Sequence, residues 1–542
     1  MAGYFKIPTP INEPILSYKP GSTEREALKN ELKELRSKKI DISLIIGGKR
    51  IETGDLVDIR VPHDHQHVLG RFHQAGEKEI KETIDVALET YKEWSEWAWE
   101  DRAAIFLKAA DLLADLYRMR MNAATMLGQS KNIFQAEIDS AAELIDMLRF
   151  NTYFMQQIFE QQPISPRFNW NQMDYRPLEG FVFAVTPFNF TSIMGNLPTA
   201  PAMVGNVVLF KPASTAVYAG YFFMKLLEDA GIPPGVINFI PGRGSKIGPI
   251  VLKHRSLAGI HFTGSTTTFQ GMWQTVGNNL GNYKTYPRIV GETGGKDFVF
   301  AHKSANIQEL VTALLRGAFE YQGQKCSAAS RVYIPDSLWE GVKVQLVEAV
   351  KSMKMGGVED FRNFINAVID KSAFDNIKAY IDEAASSSEA EILVGGKSDD
   401  SKGYFIEPTI IVTKNPKYRT MEEEIFGPVL TIYVYPANQY KETLHLCSET
   451  SIYALTGSIF AKDRKAISIA KKILRNSAGN FYINDKPTGA VIGQQPFGGS
   501  RVSGTNDKAG SWLNLIRWIS PRAIKENFVP PKDYRYPFMD EK

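Results

Sequence analysis

The spacing of hydrophobic residues changes once along this chain, near residue 180. Before that point apolar positions recur at helical intervals. Ala27, Leu28, Leu32 and Leu35 follow Thr23-x-x-Glu26, a spacing that predicts a capped helix start. Ile80, Ile84, Leu88 and Tyr91 predict a second amphipathic helix. Longer helical stretches are expected over about 102–127 and 133–159, with short, turn-broken strand sequence between the first two helices.

From Phe181 onward short apolar runs alternate with helical sequence. Phe181–Val185, Asn206–Phe210, Val236–Ile240 and Gly259–Thr263 read as buried strands, and Ala216–Ala230 as a helix between two of them. This alternation predicts a parallel, doubly wound sheet. A second such run begins near Lys296, with strands expected at Phe298–Phe300, Arg331–Ile334, Leu430–Val434, Gly457–Phe460 and Asn480–Ile483. Two α/β units in tandem imply a cleft between them. The runs at 386–389 and 398–402 read as surface loops. Residues 161–178 and the aromatic tail after Gly510 fit neither unit. They form either an assembly surface or a segment packed on its own chain.

Composition narrows the class. The 542 residues hold 63 Lys and Arg against 60 Asp and Glu, a net charge of +3, which gives no reason to expect nucleic acid or an anionic membrane as the partner. The longest apolar runs are too short to span a bilayer. Two cysteines, Cys326 and Cys447, build no disulfide framework, so a reducing interior is expected. The first residues are neither a signal peptide nor an Arg-rich presequence.

Candidate chemistry lies in turns. Cys326 sits in Tyr321-Gln-Gly-Gln-Lys-Cys-Ser327, a polar, Gly-bearing context more suited to a used thiol than to a buried one. Glu292 lies on a Gly-rich turn after strand-like Arg288–Val290, a place for acid–base work or simple solvation. Asn189, after Thr186-Pro187-Phe188, offers an amide to an oxyanion or caps the next helix. Lys211, Ser214, Gly264 and Ser265 also follow strands, where ligands bind in open parallel sheets. Gly242-Arg-Gly244-Ser-Lys-Ile-Gly248 misses dinucleotide spacing by one residue. His63, His65 and His67 alternate and would share a face in a strand, but no cysteine is near them and no metal site is expected.

In order, Pro-Phe-Asn189, Lys211-Pro, Phe-Thr-Gly-Ser265, Gly-Glu292-Thr-Gly-Gly-Lys, Gly-Gln-Lys-Cys326 and Glu424-Ile-Phe426-Gly-Pro resemble the aldehyde dehydrogenase superfamily over nearly the whole chain. Phe319–Ser327, Asn480–Ala490 and Ser503–Gly510 resemble its glutamate-γ-semialdehyde branch. The resemblance implies two doubly wound α/β domains plus a small β flap for oligomerisation. The NAD-binding domain would span 20–160 and 180–295, and the catalytic domain 296–509. Flap and tail would occupy 161–179 and 510–542. It implies Cys326 as nucleophile, Asn189 as oxyanion donor and Glu292 as base for thioester hydrolysis. Thr186, Pro187, Phe188, Lys211, Ser214, Gly242, Gly244, Gly264, Ser265, Glu424 and Phe426 would meet NAD. Ser214 stands where many members carry an acidic residue, so NADP is admitted beside NAD. Ser327 and the backbone N–H groups of Gly489 and Ala490 would hold the substrate's carboxylate, with Phe190 and Phe497 around its methylenes and Lys325 also in the substrate site. Glu292 argues against a CoA-acylating reaction; another small aldehyde is the alternative substrate. A homodimer in the mitochondrial matrix, with its transit peptide removed, is implied, with a cytoplasmic home as the alternative.

Overall fold

The computed structural model describes residues 3–540. Two seven-stranded sheets organise them. The first runs Arg288–Glu292, Leu257–Thr263, Phe181–Val185, Val207–Lys211, Ile237–Phe239, Leu44–Ile46, Lys49–Ile51. Its first five strands are parallel and the last two are antiparallel additions. The chain moves outward from Phe181–Val185 on one side, then crosses to the other for Leu257–Thr263. That reversal is the switch point at which such sheets bind ligands.

The second sheet runs Ala390–Val394, Thr409–Thr413, Val429–Tyr435, Ala329–Pro335, Asp297–Ala301, Thr456–Phe460, Asn480–Ile483. Only its first strand is antiparallel. Alternate residues serve opposite faces. Phe298, Phe300 and Tyr333 pack into one core, Val299, Val332 and Ile334 into the other. Burial on both faces makes these strands continuous apolar runs, which is why they are legible in the sequence. The expected pair of doubly wound units is therefore present.

Several local expectations change. The first helix is Thr23–Ser37 with Ser22 at its N-cap and no side-chain capping bond, so Thr23 opens the helix and caps nothing. The stretch predicted as one helix over 102–127 is two, Trp99–Ala114 and Arg118–Gln129. The break carries Arg118 inward to Glu137 and Glu13. Within 133–159, residues Glu137–Glu143 form a π-helical segment. The wider turn shifts the helix face and brings Glu137 and Asp139 fully inside. Ser398–Asp399, read as loop, pairs with Phe405–Ile406.

The two stretches that fitted neither unit pair with each other. Asn169–Pro177 and Ile519–Asn527 form an antiparallel ribbon over nine residues each. Trp518 anchors it: the ring is fully buried, lies 4.6 Å from His261, and fills the space left by Gly259, while its carbonyl accepts from Asn206 Nδ2 at 2.9 Å. No helix of the described residues is long and apolar enough to cross a membrane. Trp518→Ala should cost about 3–5 kcal/mol. A urea titration that leaves the first unfolding midpoint unmoved would contradict this packing.

Candidate active site

Thr186–Phe190 leave the carboxyl end of the switch-point strand and run into the helix Thr191–Met203. That helix has no side-chain cap of its own. Asp139, from the π-helical segment, takes that role: Oδ2 accepts from Thr191 N–H at 3.0 Å, and Oδ1 from Ser192 N–H at 2.9 Å. An anion at a helix N-terminus is favoured by the free amides there. Asn189 is thereby held almost fully buried, and its Nδ2 donates to Gln324 O at 3.1 Å. An amide carries two N–H donors, so the second remains for a ligand.

Gln324 belongs to the loop that carries Cys326. Tyr321, Gln322 and Gly323 are successively left-handed, at φ 52°, 54° and 68°. Only glycine takes this region freely, and a side chain at Gly323 would collide with Gly427 O. Side-chain bonds hold the two non-glycine residues in place. Tyr321 donates to Gln129 O at 2.9 Å, and Gln322 Oε1 accepts from Asn366 N–H at 3.0 Å. Gln324 Oε1 accepts from Ile369 N–H at 2.9 Å. The loop is thus fastened to the segment around Gln129 and to the chain near residue 367 before it delivers the thiol. Cys326 is partly exposed to a cavity, whereas Cys447 is buried in the core of the second sheet.

Glu292 is the last residue of a strand, not part of the turn after it. Its backbone faces Gly504 across an isolated antiparallel bridge, and Thr293 N–H donates to Ser503 O at 2.9 Å. Its Oε2 accepts from Gly499 N–H at 3.1 Å. Burial pushes the carboxyl well above the usual range, against the pull of the Gly499 bond. Burial also raises the Cys326 thiol, with the carboxylates of Asp297, Glu424 and Glu292 adding to it.

The cavity holds about 350 Å³ and joins both groups. Phe190 and Phe497 form walls beside Cys326 and Glu292. Lys325, Ser327, Gly489 and Ala490 line the cavity as well. There Ser327 Oγ meets Thr488 Oγ1 at 2.8 Å, and Gly489 is left-handed at φ 95°. Lys325 lies 3.1 Å from Glu320, with burial lowering its pKa to about 8. Lys486, unnamed in the sequence reading, lies 3.7 Å from Glu320 and braces the turn through Thr488 O at 3.0 Å. Arg316 lies on the same wall. A second group the sequence reading missed is Glu143, whose carboxyl burial raises to about 8 and whose Oε2 accepts from Ser192 Oγ at 3.1 Å. It enters the cavity because of the π-helical segment, which no 3.6-residue periodicity reveals.

Most of the expected cofactor residues follow strands of the first sheet, whereas Glu424 and Phe426 come from the second unit, just before Val429–Tyr435. Lys211 is buried, its ammonium donates to Pro212 O at 3.1 Å and to no other group among the described residues, and burial lowers its pKa to about 8. Gly244 lies beside its side chain. The Thr186 hydroxyl is buried without a partner among the described residues. Gly242 is buried and Ser214 exposed. Ser265 caps the helix Thr266–Gly277 through its own hydroxyl, and Gly264 N–H donates to Glu292 O at 3.2 Å. Glu424 Oε1 accepts from Gly295 N–H at 2.9 Å, and burial raises that carboxyl to about 7. Phe426 is left-handed at φ 58°, its ring 5.8 Å from Phe188. Pro187 is buried between Thr186 and that ring pair.

The three histidines do not converge: His65 and His67 alternate on one strand, but His63 lies outside it. His63 precedes the strand Asp64–His73 and meets Ser130 Oγ at 3.1 Å, while His65 and His67 meet Asp400 O and Arg36 O. Among the described residues no group of three His, Cys, Asp or Glu could hold a metal ion.

The sequence profile described as "Aldehyde dehydrogenase family" matches residues 51–517. The chain is 56% identical over 536 residues to "Delta-1-pyrroline-5-carboxylate dehydrogenase, mitochondrial" of Dictyostelium discoideum, covering 98% of this chain and 96% of that one. It is 49% identical over 529 residues to the human protein of the same name, covering 97% and 94%. A crystal structure of the Delta-pyrroline-5-carboxylate dehydrogenase from Mycobacterium tuberculosis bound with NAD superposes with a TM-score of 0.96 at 50% identity, covering 100% of each chain.

In the free protein the raised Cys326 pKa makes the neutral thiol dominant near neutral pH. The alkylatable thiolate grows as pH climbs, so iodoacetamide labelling of Cys326 should still be accelerating at about pH 9. A rate that levels off below about pH 8 would contradict the burial described.

Proposed function

The chain belongs to the aldehyde dehydrogenase family, and from that premise we propose that it oxidises L-glutamate γ-semialdehyde, formed from Δ1-pyrroline-5-carboxylate, to L-glutamate with NAD. This is the second step of proline catabolism. The observation that carries the substrate assignment is the cavity's polarity. The thiol of Cys326 and the carboxyls of Glu292 and Glu143 line the cavity together with Ser327, the turn at Gly489 and Ala490, and the cations Lys325 and Lys486. The semialdehyde has a carbonyl at one end and a carboxylate and an ammonium at the other. Ser327 Oγ and the amides of Gly489 and Ala490 take the carboxylate, the arrangement exposed backbone amides favour for an anion. Glu143 takes the ammonium, whose charge would hold that carboxyl ionised. Phe190 and Phe497 enclose the methylenes.

Cys326 acts as thiolate. Its sulfur bonds the aldehyde carbon, and the carbonyl π pair moves onto oxygen. That oxyanion is held by the free N–H of Asn189 and the Cys326 backbone N–H. NAD, when bound, supplies the hydride acceptor that turns this adduct into a thioester. Its fit is supported by Lys211 and Thr186, buried polar groups short of partners, and by the free oxygen of Glu424. Thr186, Lys211 and Glu424 would hold it through their polar groups, with Phe188 and Phe426 as its apolar neighbours. Glu292 then takes a proton from water as the water oxygen bonds the thioester carbon, and the C–S bond breaks to return the thiolate. The Glu292 carboxyl must ionise before it serves as base. Because its pKa is raised, hydrolysis gains speed as pH increases.

In this reading residues 20–160 and 180–295 form the NAD-binding domain and 296–509 the catalytic one. The ribbon within 161–179 and 510–542 serves a second copy of the chain. A two-stranded ribbon is marginal alone, and Trp170, Phe528 and Val529 on it are exposed. The mitochondrial names of eukaryotic relatives support the matrix as its compartment.

Purified protein supplied with NAD should prefer the semialdehyde over propanal by more than about tenfold in kcat/KM, the scale on which one satisfied charged hydrogen bond is felt. A preference for propanal would overturn the substrate assignment. Cys326→Ser should lose turnover while still binding NAD, and Glu143→Gln should raise KM for the semialdehyde.

A further inference from the structure

Residues 7–18 have no regular secondary structure, yet they are tied down at Ile7 and again at Asn12, Glu13, Pro14, Leu16 and Tyr18. Ile7 N–H donates to Gln156 Oε1 at 2.5 Å, Glu13 N–H to Asp146 Oδ1 at 2.7 Å, and Leu16 N–H to Glu137 Oε1 at 2.9 Å. All three acceptors lie on the stretch that forms one wall of the cavity. The Glu13 carboxylate bridges Arg118 and Arg149 at 2.6 and 2.7 Å. The segment is therefore a strap laid along the outside of that wall, and Asn12, Glu13 and Ile15 contribute to the cavity lining themselves.

Asn12 does more than follow the strap. Its Nδ2 donates to Asp146 Oδ2 at 2.8 Å and to Ile492 O, also at 2.8 Å. Its Oδ1 accepts from Gln494 Nε2 at 3.0 Å. Ile492 is two residues beyond Ala490, on the turn whose amides face the cavity. The inner end of that turn is braced by Lys486 on Thr488 O and by the Ser327–Thr488 bond. Its outer end is braced within the loop by Gln495 Oε1, which accepts from Val491 N–H at 3.0 Å, and across to the opposite wall by Asn12. A glycine turn is conformationally costly to hold in one state, and amides converge on an anion only when the turn is held.

We propose that Asn12 is a specificity-determining positioning residue: by bridging Asp146 to Ile492 and Gln494, it holds the turn at 489–492 in the form that receives the substrate's carboxylate. The inference rests on the reading that a carboxylate-bearing aldehyde occupies this cavity. It adds that the selectivity for that end of the substrate depends on a side chain near the start of the chain, distant in sequence from every group that touches the substrate.

The test is steady-state kinetics on the full chain with saturating NAD, using the semialdehyde and propanal in parallel. Asn12→Ala should raise KM for the semialdehyde about tenfold while kcat stays within about twofold. Asn12→Asp should raise it further, because its carboxylate would face Asp146 and the Ile492 carbonyl without a proton to give. Gln494→Ala, at an exposed position that breaks one of the three links, should give a smaller rise. KM for propanal and for NAD should not move in any of them. A semialdehyde KM that is unchanged in both Asn12 variants overturns the proposal, as does an equal rise for propanal, which would mark general loosening. Should the Asn12 variants fail to fold, an unchanged KM in Gln494→Ala overturns it as well. Absence of semialdehyde preference in the unaltered protein defeats the substrate reading instead, before any variant is made.

Discussion

The site depends on one ion pair. Lys131 and Asp139 have no exposed surface and meet at 2.6 Å. Burial lowers the Lys131 pKa, and Asp139 opposes that loss by holding the proton on the amine. The ammonium also lies 4.2 Å from the Phe190 ring centroid and 4.5 Å from that of Tyr321. Asp139 meanwhile caps the helix that begins at Thr191. Three parts of the chain therefore meet on two charges: the cavity wall, the turn bearing Asn189, and the loop that delivers Cys326. Such a pair adds little net stability over apolar packing, but losing one partner costs about 3–5 kcal/mol because the other is left buried alone. Its value here is registry. Asn189 and Cys326 come from the units of different sheets, and the pair sets one against the other.

A second seam performs the same task for Glu292. The chain between Gly498 and Thr505 leaves the second sheet's unit and lies against the edge strand of the first, through Ser503 O, the Gly504 bridge and Thr505 N–H to Gly291 O. The same segment provides the amide that receives the Glu292 carboxylate. Glu292 is thus built on one unit and oriented by the other. Close packing explains why both this carboxyl and the Cys326 thiol are pushed towards their neutral forms: the surroundings that position them also exclude water. In the proposed reaction each acts in its ionised form, so both raised pKa values favour that reaction at higher pH.

Much of this was legible in the sequence. Parallel strands buried on both faces write themselves as apolar runs, so the two α/β units and most strand positions could be read directly. The candidate residues stand out because they lie in polar or Gly-bearing sequence beside strands, as with Lys211, the last residue of its strand, and Cys326. Periodicity failed where the backbone departs from its standard repeat. The π-helical segment hides Asp139 and Glu143 from a 3.6-residue template, and the break after Ala114 hides the inward turn of Arg118. Glu292 was placed on a turn because glycines surround it, whereas pairing with a distant segment extends the strand through it. Contacts of great sequence separation were beyond reach: Asn12 and Ile492 lie 480 residues apart, and nothing local marks either one.

The central claim is that Cys326 carries the acyl group and Glu292 frees it. A Glu292→Gln protein mixed rapidly with NAD and the semialdehyde tests both halves at once by following NADH absorbance. The account predicts a fast burst stoichiometric with Cys326, then a slow phase limited by hydrolysis of the thioester. A trace with no burst, or turnover at the unaltered rate, would contradict it.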